Sequence, residues 1–271
     1  MDLHLYRHLW GLDPPWNEAL DAFSAFGYRG VEVALPHVQP VEQHAEYFGE
    51  RGLSCLPMIF TTGHGVSEHV DSFRAQAHEA ARFNPPLITC HDGRDAFSRA
   101  DASRYFREVL DIESDLGVPV AHETHRGRIL YNPWVTASLL DEFQGIRLCC
   151  DFSHWVCVCE RLIDDQIEII TQCADRALHI HARVGYNEGP QVPDPSDPLF
   201  AEELEAHERW WLLIWESQRN RGFEVSLMTP EFGPPPYMQT EPFTGNPVAD
   251  QQMVSDWQAR RQRQRFEAHF G

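Results

Sequence analysis

Eight short apolar segments recur along this chain: LHLYRHLWG, GVEVAL, LSCLPMIF, PLITCHDG, VPVAHETH, IRLCCDFSH, ALHIHARVG and FEVSLMTPEFG. Between them lie stretches of helical periodicity, among them NEALDAFSAFG, HVDSFRAQAHEAARF, SRYFREVLDIESDLG and AEELEAHERWWLLIWESQRNRG. From the second segment to the seventh the spacing stays near ~30 residues, the length of one strand-helix-strand unit. Strands that alternate with helices imply a parallel sheet. Eight such units predict a closed (β/α)8 TIM barrel, an α/β fold. A doubly wound open sheet is the alternative, but it usually carries a glycine-rich turn after its first strand, and HLWGLDPPW has none. No linker or low-complexity tract divides the 271 residues, so residues 1–271 are expected to form a single domain.

Composition narrows the function. The net charge of −19 opposes binding to a phosphate backbone, which needs a positive surface to displace counterions. A neutral sugar or other small molecule is the easier partner. No lysine occurs, so all 22 basic residues are arginines, which excludes a lysine Schiff base, a pyridoxal-anchoring lysine and a P-loop lysine. No apolar run approaches the ~18 residues of a membrane span, and the start MDLHLYRHLWG lacks a signal-peptide pattern, so a cytoplasmic protein is expected. The seven cysteines form no CxxC pair; Cys157 and Cys159 are read as reduced thiols rather than metal ligands.

In a parallel barrel the strand ends converge on one face, so polar residues there meet across long sequence separations. The fifth segment ends at Glu123, the sixth at Asp151 and His154, the seventh at His179 and His181, and the eighth at Glu231. Three carboxylates so close repel one another unless a cation neutralises them. One divalent metal resolves the conflict. Oxygen-rich ligation with one imidazole suits Mn2+ first, with Mg2+, Co2+ or Zn2+ as alternatives. Long proline- and glycine-rich connections follow the seventh and eighth segments, GYNEGPQVPDPSDPLF and GPPPYMQTEPFTGNPVAD, where either substrate contacts or a rigid surface is expected.

Glu123 in HETH, Asp151 and His154 in DFSH, His181 in HIHAR and Glu231 in TPEFG resemble the motifs of the xylose isomerase-like TIM barrels, over nearly the whole chain. That family includes sugar isomerases, ketose 3-epimerases and endonuclease IV enzymes. The resemblance to ketose 3-epimerases implies that Glu123, Asp151, His181 and Glu231 bind one divalent metal and that Glu123 and Glu231 also move the proton. It further implies a homodimer or homotetramer. His179, two residues before His181, is expected one layer deeper in the barrel.

Departures from the family patterns select among its chemistries. Xylose isomerases proper resemble Glu-Pro-Lys at the fifth strand, whereas this chain has Glu123-Thr124-His125. Endonuclease IV enzymes resemble it at His91 and His154 but carry an Asp-Arg-His-Glu-His run after the seventh strand, where NEGPQVPDP stands here. What remains is an isomerase or epimerase that works by proton transfer through an enediolate, with His154 as a third catalytic residue. Substrate contacts are expected from Trp10, His91, His125, Arg126 and Arg183, with Phe60 and Trp155 completing an apolar wall. A metal-assisted lyase or hydrolase and a non-catalytic sugar-binding barrel are the competing classes. Within HETHRGR, His122 and Thr124 should point away from the barrel axis, toward the helices. The basic C-terminal stretch QARRQRQRFEAHF is read as a solvated final helix.

Overall fold

A computed structural model describes residues 1–271. Its strands are β1 (Asp2–His8), β2 (Gly30–Ala34), β3 (Ser54–Phe60), β4 (Ile88–His91), β5 (Val120–Glu123), β6 (Leu148–Cys150), β7 (Ala177–His181) and β8 (Val225–Thr229). They pair in sequence order, all parallel, and the sheet closes where β1 meets β8, with Asp2 opposite Val225 and Leu5 opposite Met228. The helices are α1 (Asn17–Phe26), α2 (Val41–Gly49), α3 (Val66–Ala81), α4 (Arg99–Leu116), α5 (Pro133–Glu142), α6 (Ser153–Cys159), α7 (Ile167–Ala174), α8 (Ala201–Asn220) and α9 (Gln251–Phe270). The expected eight-stranded barrel is therefore the architecture found.

Alternation along each strand divides its side chains between two cores. Tyr6, Leu56, Leu87, Ala121 and Cys149 fill the barrel interior. Residues of the opposite parity, such as Val31, Ile59, Cys90 and Ile180, join the larger core between sheet and helices. The helices turn their apolar stripe to that layer. In α4 the stripe is Ala102, Tyr105, Phe106, Val109 and Ile112, at helical spacing. Ser98 caps this helix by accepting from the Asp101 amide at 3.1 Å, and Gly117, at φ 72°, ends it. Asn132 caps α5 in the same way, with Pro133 in the first turn.

Three expectations change. Two helices, α2 and α6, form where the sequence analysis names none. The α6 stretch SHWVCVC is rich in β-branched residues and cysteine, so it reads as a continuation of β6. Consequently β6 ends at Cys150, and His154 sits in the first turn of a helix rather than at a strand end. The final helix is also docked rather than merely solvated. Arg261 and Arg265 of α9 pair with the buried Glu208 of α8, at 2.6 and 3.3 Å, while Val254, Ala259 and Phe266 are buried.

Candidate active site

Glu123 closes β5, Asp151 follows β6 directly, His181 closes β7, and Glu231 stands two residues past β8. All four are buried, and their ligand atoms lie within 4.8 Å of one another. His181 Nδ1 is 3.0 Å from Glu231 Oε2 and 3.5 Å from Glu123 Oε1. On the other edge of the same ring, Nε2 lies 3.0 Å from Glu32 Oε1. Glu32, which also accepts from Thr89 Oγ1 at 2.9 Å, was not anticipated from the sequence. Its signal was present all the same: an acidic residue at the middle of the apolar run GVEVAL faces the barrel interior.

The electrostatics follow from burial of many charges in one place. Burial works against the carboxylate of Glu231, but Arg183 and His181 outweigh it and hold the group below its usual range. At Glu123 burial is likewise outweighed, by His91 and His181. Asp151 goes the other way: burial, reinforced by Glu123 and Glu231 against the pull of Arg183, raises it to about 7. Burial opposes the His181 cation too, yet Cys149 and the three glutamates around the ring favour it. Oε1 of Glu123 and Oδ2 of Asp151 accept no hydrogen bond, and Nδ1 of His181 makes none. Buried atoms of this kind, from two carboxylates and one imidazole beside the carboxylate of Glu231, fit a divalent cation. Glu32 then supplies the outer partner that fixes the tautomer of His181 and leaves Nδ1 free to ligate.

Beside these residues stands a row of imidazoles. The rings of His91 and His125 are 4.5 Å apart, and those of His125 and His154 are 3.8 Å apart. His91 Nε2 lies 2.5 Å from Glu123 Oε2, and His154 Nε2 lies 3.5 Å from Asp151 Oδ2. Burial, with His91 and Arg183 nearby, pushes His125 down to about 3, and burial with His125 and Arg183 holds His154 well below the usual range. Both are neutral at pH 7. Arg183 pairs with Glu231 Oε2, places Nε 3.3 Å from Asp151 Oδ2, and stacks 4.8 Å from the Tyr237 ring centre.

The site opens into a cavity of about 670 Å3, lined by Trp10, Phe60, His91, His125, Arg183 and Glu231 among others. Two expected contacts lie elsewhere. Arg126 is outside the lining and packs over Tyr237 at 5.1 Å, whereas Arg128 lines the cavity and donates to the carbonyls of Thr61 and Gly93. Gly127, at φ 75°, turns the loop between them. Trp155 is fully buried against Phe152, with its indole N–H donated to the Leu130 carbonyl, so it belongs to the core and not to the wall. Its position in α6, rather than in an extended strand end, turns it inward.

His122 points toward the helices as expected, packing on Phe106 and lying 2.8 Å from both Asp92 and Glu113. Thr124 accepts from the Asp151 amide at 2.8 Å and so ties β5 to the residue after β6. His179 is the deeper of its pair, with Nε2 3.0 Å from Thr229 Oγ1. The long connection after β8 supplies Tyr237, and the one after β7 supplies Gln191, which holds the Gly233 backbone; neither residue was singled out from sequence.

The family model described as xylose isomerase-like TIM barrel matches residues 20–189. No curated protein matches the sequence. Among solved structures, the probable 3-DHS dehydratase of Bacillus anthracis superposes with a TM-score of 0.57 at 14% identity, over 85% of this chain and 92% of that one. A xylose isomerase-like TIM barrel protein from Mycobacterium smegmatis in complex with magnesium gives 0.59 at 14% identity, over 86% and 91% of the two chains. A sugar phosphate isomerase/epimerase from Parabacteroides distasonis gives 0.58 at 11% identity, over 96% and 97%. At these identities the likeness is one of fold.

Proposed function

The chain belongs to the xylose isomerase-like TIM barrel family, and from that premise we propose that it is a divalent-metal-dependent isomerase or epimerase of a sugar or keto-polyol. One observation carries the reading: Glu123, Asp151, His181 and Glu231 converge from four strands with their ligand atoms within 4.8 Å. These four residues would hold the ion, with Mn2+ as first choice. When bound, the ion polarises a substrate carbonyl and acidifies the neighbouring C–H.

Glu123 and Glu231 approach His181 from different strands, and both are held below their usual range, so either carboxylate could take the C–H proton; the other, after taking a proton from solvent, would return one to carbon. His91 holds the Glu123 carboxylate at 2.5 Å, and neutral His154 beside Asp151 is placed to hydrogen-bond a developing oxyanion. Arg183 orients Glu231 and presents its planar face to Tyr237. His125 and Trp10 line the space in which the carbon chain would lie.

The test is wash-in of solvent deuterium over a panel of ketoses with Mn2+ and Mg2+. Exchange without change of mass beyond the label is expected, and Glu123→Gln and Glu231→Gln should each lower its rate by about 100-fold or more. Loss of water from the substrate would instead indicate a dehydratase on the same barrel. Full exchange by either glutamine variant would remove its assigned role.

A further inference from the structure

The cavity is larger than the reacting end of a sugar needs, and its character changes along its length. Ligand pockets run roughly 300–1,000 Å3, and at about 670 Å3 this one is of a size that holds ligands much bulkier than a bare six-carbon sugar. Its floor is polar, with His91, His125, Arg183 and Glu231. Beyond the strand ends the wall is mostly apolar, formed by Leu12, Pro14 and Trp16 of the β1–α1 connection and by Pro36 after β2, with Asp13 and His37 among them.

At the junction stands Trp10, held in place on several sides yet 39% exposed. Its ring meets Tyr237 edge-on, 4.9 Å between centres at 77°. A Cβ on Gly233 would collide with the Trp10 ring, so the bare backbone there makes the room in which the indole lies. That backbone is fixed by Gln191, which donates to the Gly233 carbonyl at 3.1 Å and accepts its N–H at 2.7 Å. The Trp10 carbonyl is fixed in turn by Gln251, at 2.7 Å. The Arg183 guanidinium carbon lies 5.8 Å from the centre of the same ring. A large aromatic ring that is immobilised, part-exposed and lines the cavity offers stacking area at little cost in conformational entropy.

The same cavity is poorly furnished for an anion. Arg183 is engaged by Glu231 and Asp151, and Arg128 has one amino group committed to two carbonyls. Asp13 stands in the apolar part of the lining, and the chain has no lysine to add. A phosphoryl group would therefore meet, of the two lining arginines, one already paired with carboxylates and one partly committed to backbone carbonyls.

We infer that the substrate is an unphosphorylated polyhydroxy ketone carrying an apolar ring, the ring stacked on Trp10 in the outer compartment. The ketone rests on the isomerase or epimerase reading; the ring rests on the cavity alone. Calorimetric titration of the metal-loaded protein with phenyl β-D-glucopyranoside, methyl β-D-glucopyranoside and glucose 6-phosphate tests it. The phenyl glycoside should bind roughly tenfold tighter than the methyl glycoside, and the 6-phosphate should gain nothing over the methyl compound.

Trp10→Ala should abolish the phenyl advantage with an unchanged circular dichroism spectrum. Leu12→Asp, on the outer wall, should reduce it while leaving Trp10 in place. Equal affinities for the two glycosides, binding of neither, or tighter binding of the 6-phosphate would each overturn the inference. A phenyl preference without deuterium exchange on any ketose sinks the proposed reaction and keeps the pocket. Exchange on free ketoses without a phenyl preference does the reverse.

Discussion

Glu32 takes one edge of the His181 ring, at 3.0 Å, and thereby leaves Nδ1 facing Glu123 and Glu231. A metal-ligating imidazole is oriented by such an outer carboxylate, and losing it typically costs ~10–100-fold in metal affinity. Glu32→Gln should weaken Mn2+ binding by about that factor in a calorimetric titration, with the barrel intact. Unchanged affinity would show that strand packing alone sets the His181 tautomer. At this scale the sequence was legible where a residue type stands at a strand end. The convergence of Glu123, Asp151, His181 and Glu231 was readable because all four stand at successive strand ends, which meet on one face of a barrel. Arg126 and Arg128 were not separable by the same logic. Both are arginines in one loop, and only the turn at Gly127 decides which of them lines the cavity.

Helix α8 carries His207, buried between its own turn and the connection after β7. Its Nδ1 donates to the Glu203 carbonyl at 2.8 Å, and Nε2 accepts the Gly185 N–H at 3.3 Å. Protonation would fill the accepting nitrogen and break the second bond. Burial accordingly pushes His207 down to about 4. In the unfolded chain the group titrates near its ordinary value of about 6.5. Stability from the neutral ring is thus present in full above pH ~6.5 and is lost as the pH falls toward 4, because the unfolded state takes the proton first. The loss is on the order of 3 kcal/mol at most. Urea unfolding at pH 7 and pH 5 should show a smaller difference for His207→Gln than for the parent; an equal difference would place the titration elsewhere. The element scale was also where the reading fell short: the sixth segment was extended to His154 with Trp155 at its end, whereas the helix begins at Ser153 and Trp155 packs inward against Phe152.

Across the whole molecule the proposed ligands come from β5, the turn after β6, β7 and the segment after β8, so one ion would tie together four neighbouring staves of a closed barrel. Binding that occurs only in the folded state adds about 2.7 kcal/mol at a hundred times Kd. For a domain of this size that corresponds to a rise in Tm of about 5–10 °C. Addition of Mn2+ to chelator-treated protein should produce it, and Asp151→Asn should blunt it. A Tm indifferent to Mn2+ in the parent protein would count against the centre itself. No helix is long and apolar enough to cross a membrane, and the −19 charge is spread over a chain whose cations are all arginine.

The sequence by itself determined the barrel and the polar residues that meet at one end of it. Both are written in short-range pattern: apolar strands at a repeat matching one strand-helix-strand unit, with polar residues at the ends of the fifth to eighth. Tertiary structure alone decided that Glu32, from the second strand, meets His181, from the seventh, and that Trp10 lies in a gap left by Gly233. Those contacts depend on barrel closure and on loop paths across more than a hundred residues of chain. No local periodicity encodes them, because closure brings together residues whose sequence neighbourhoods are unrelated.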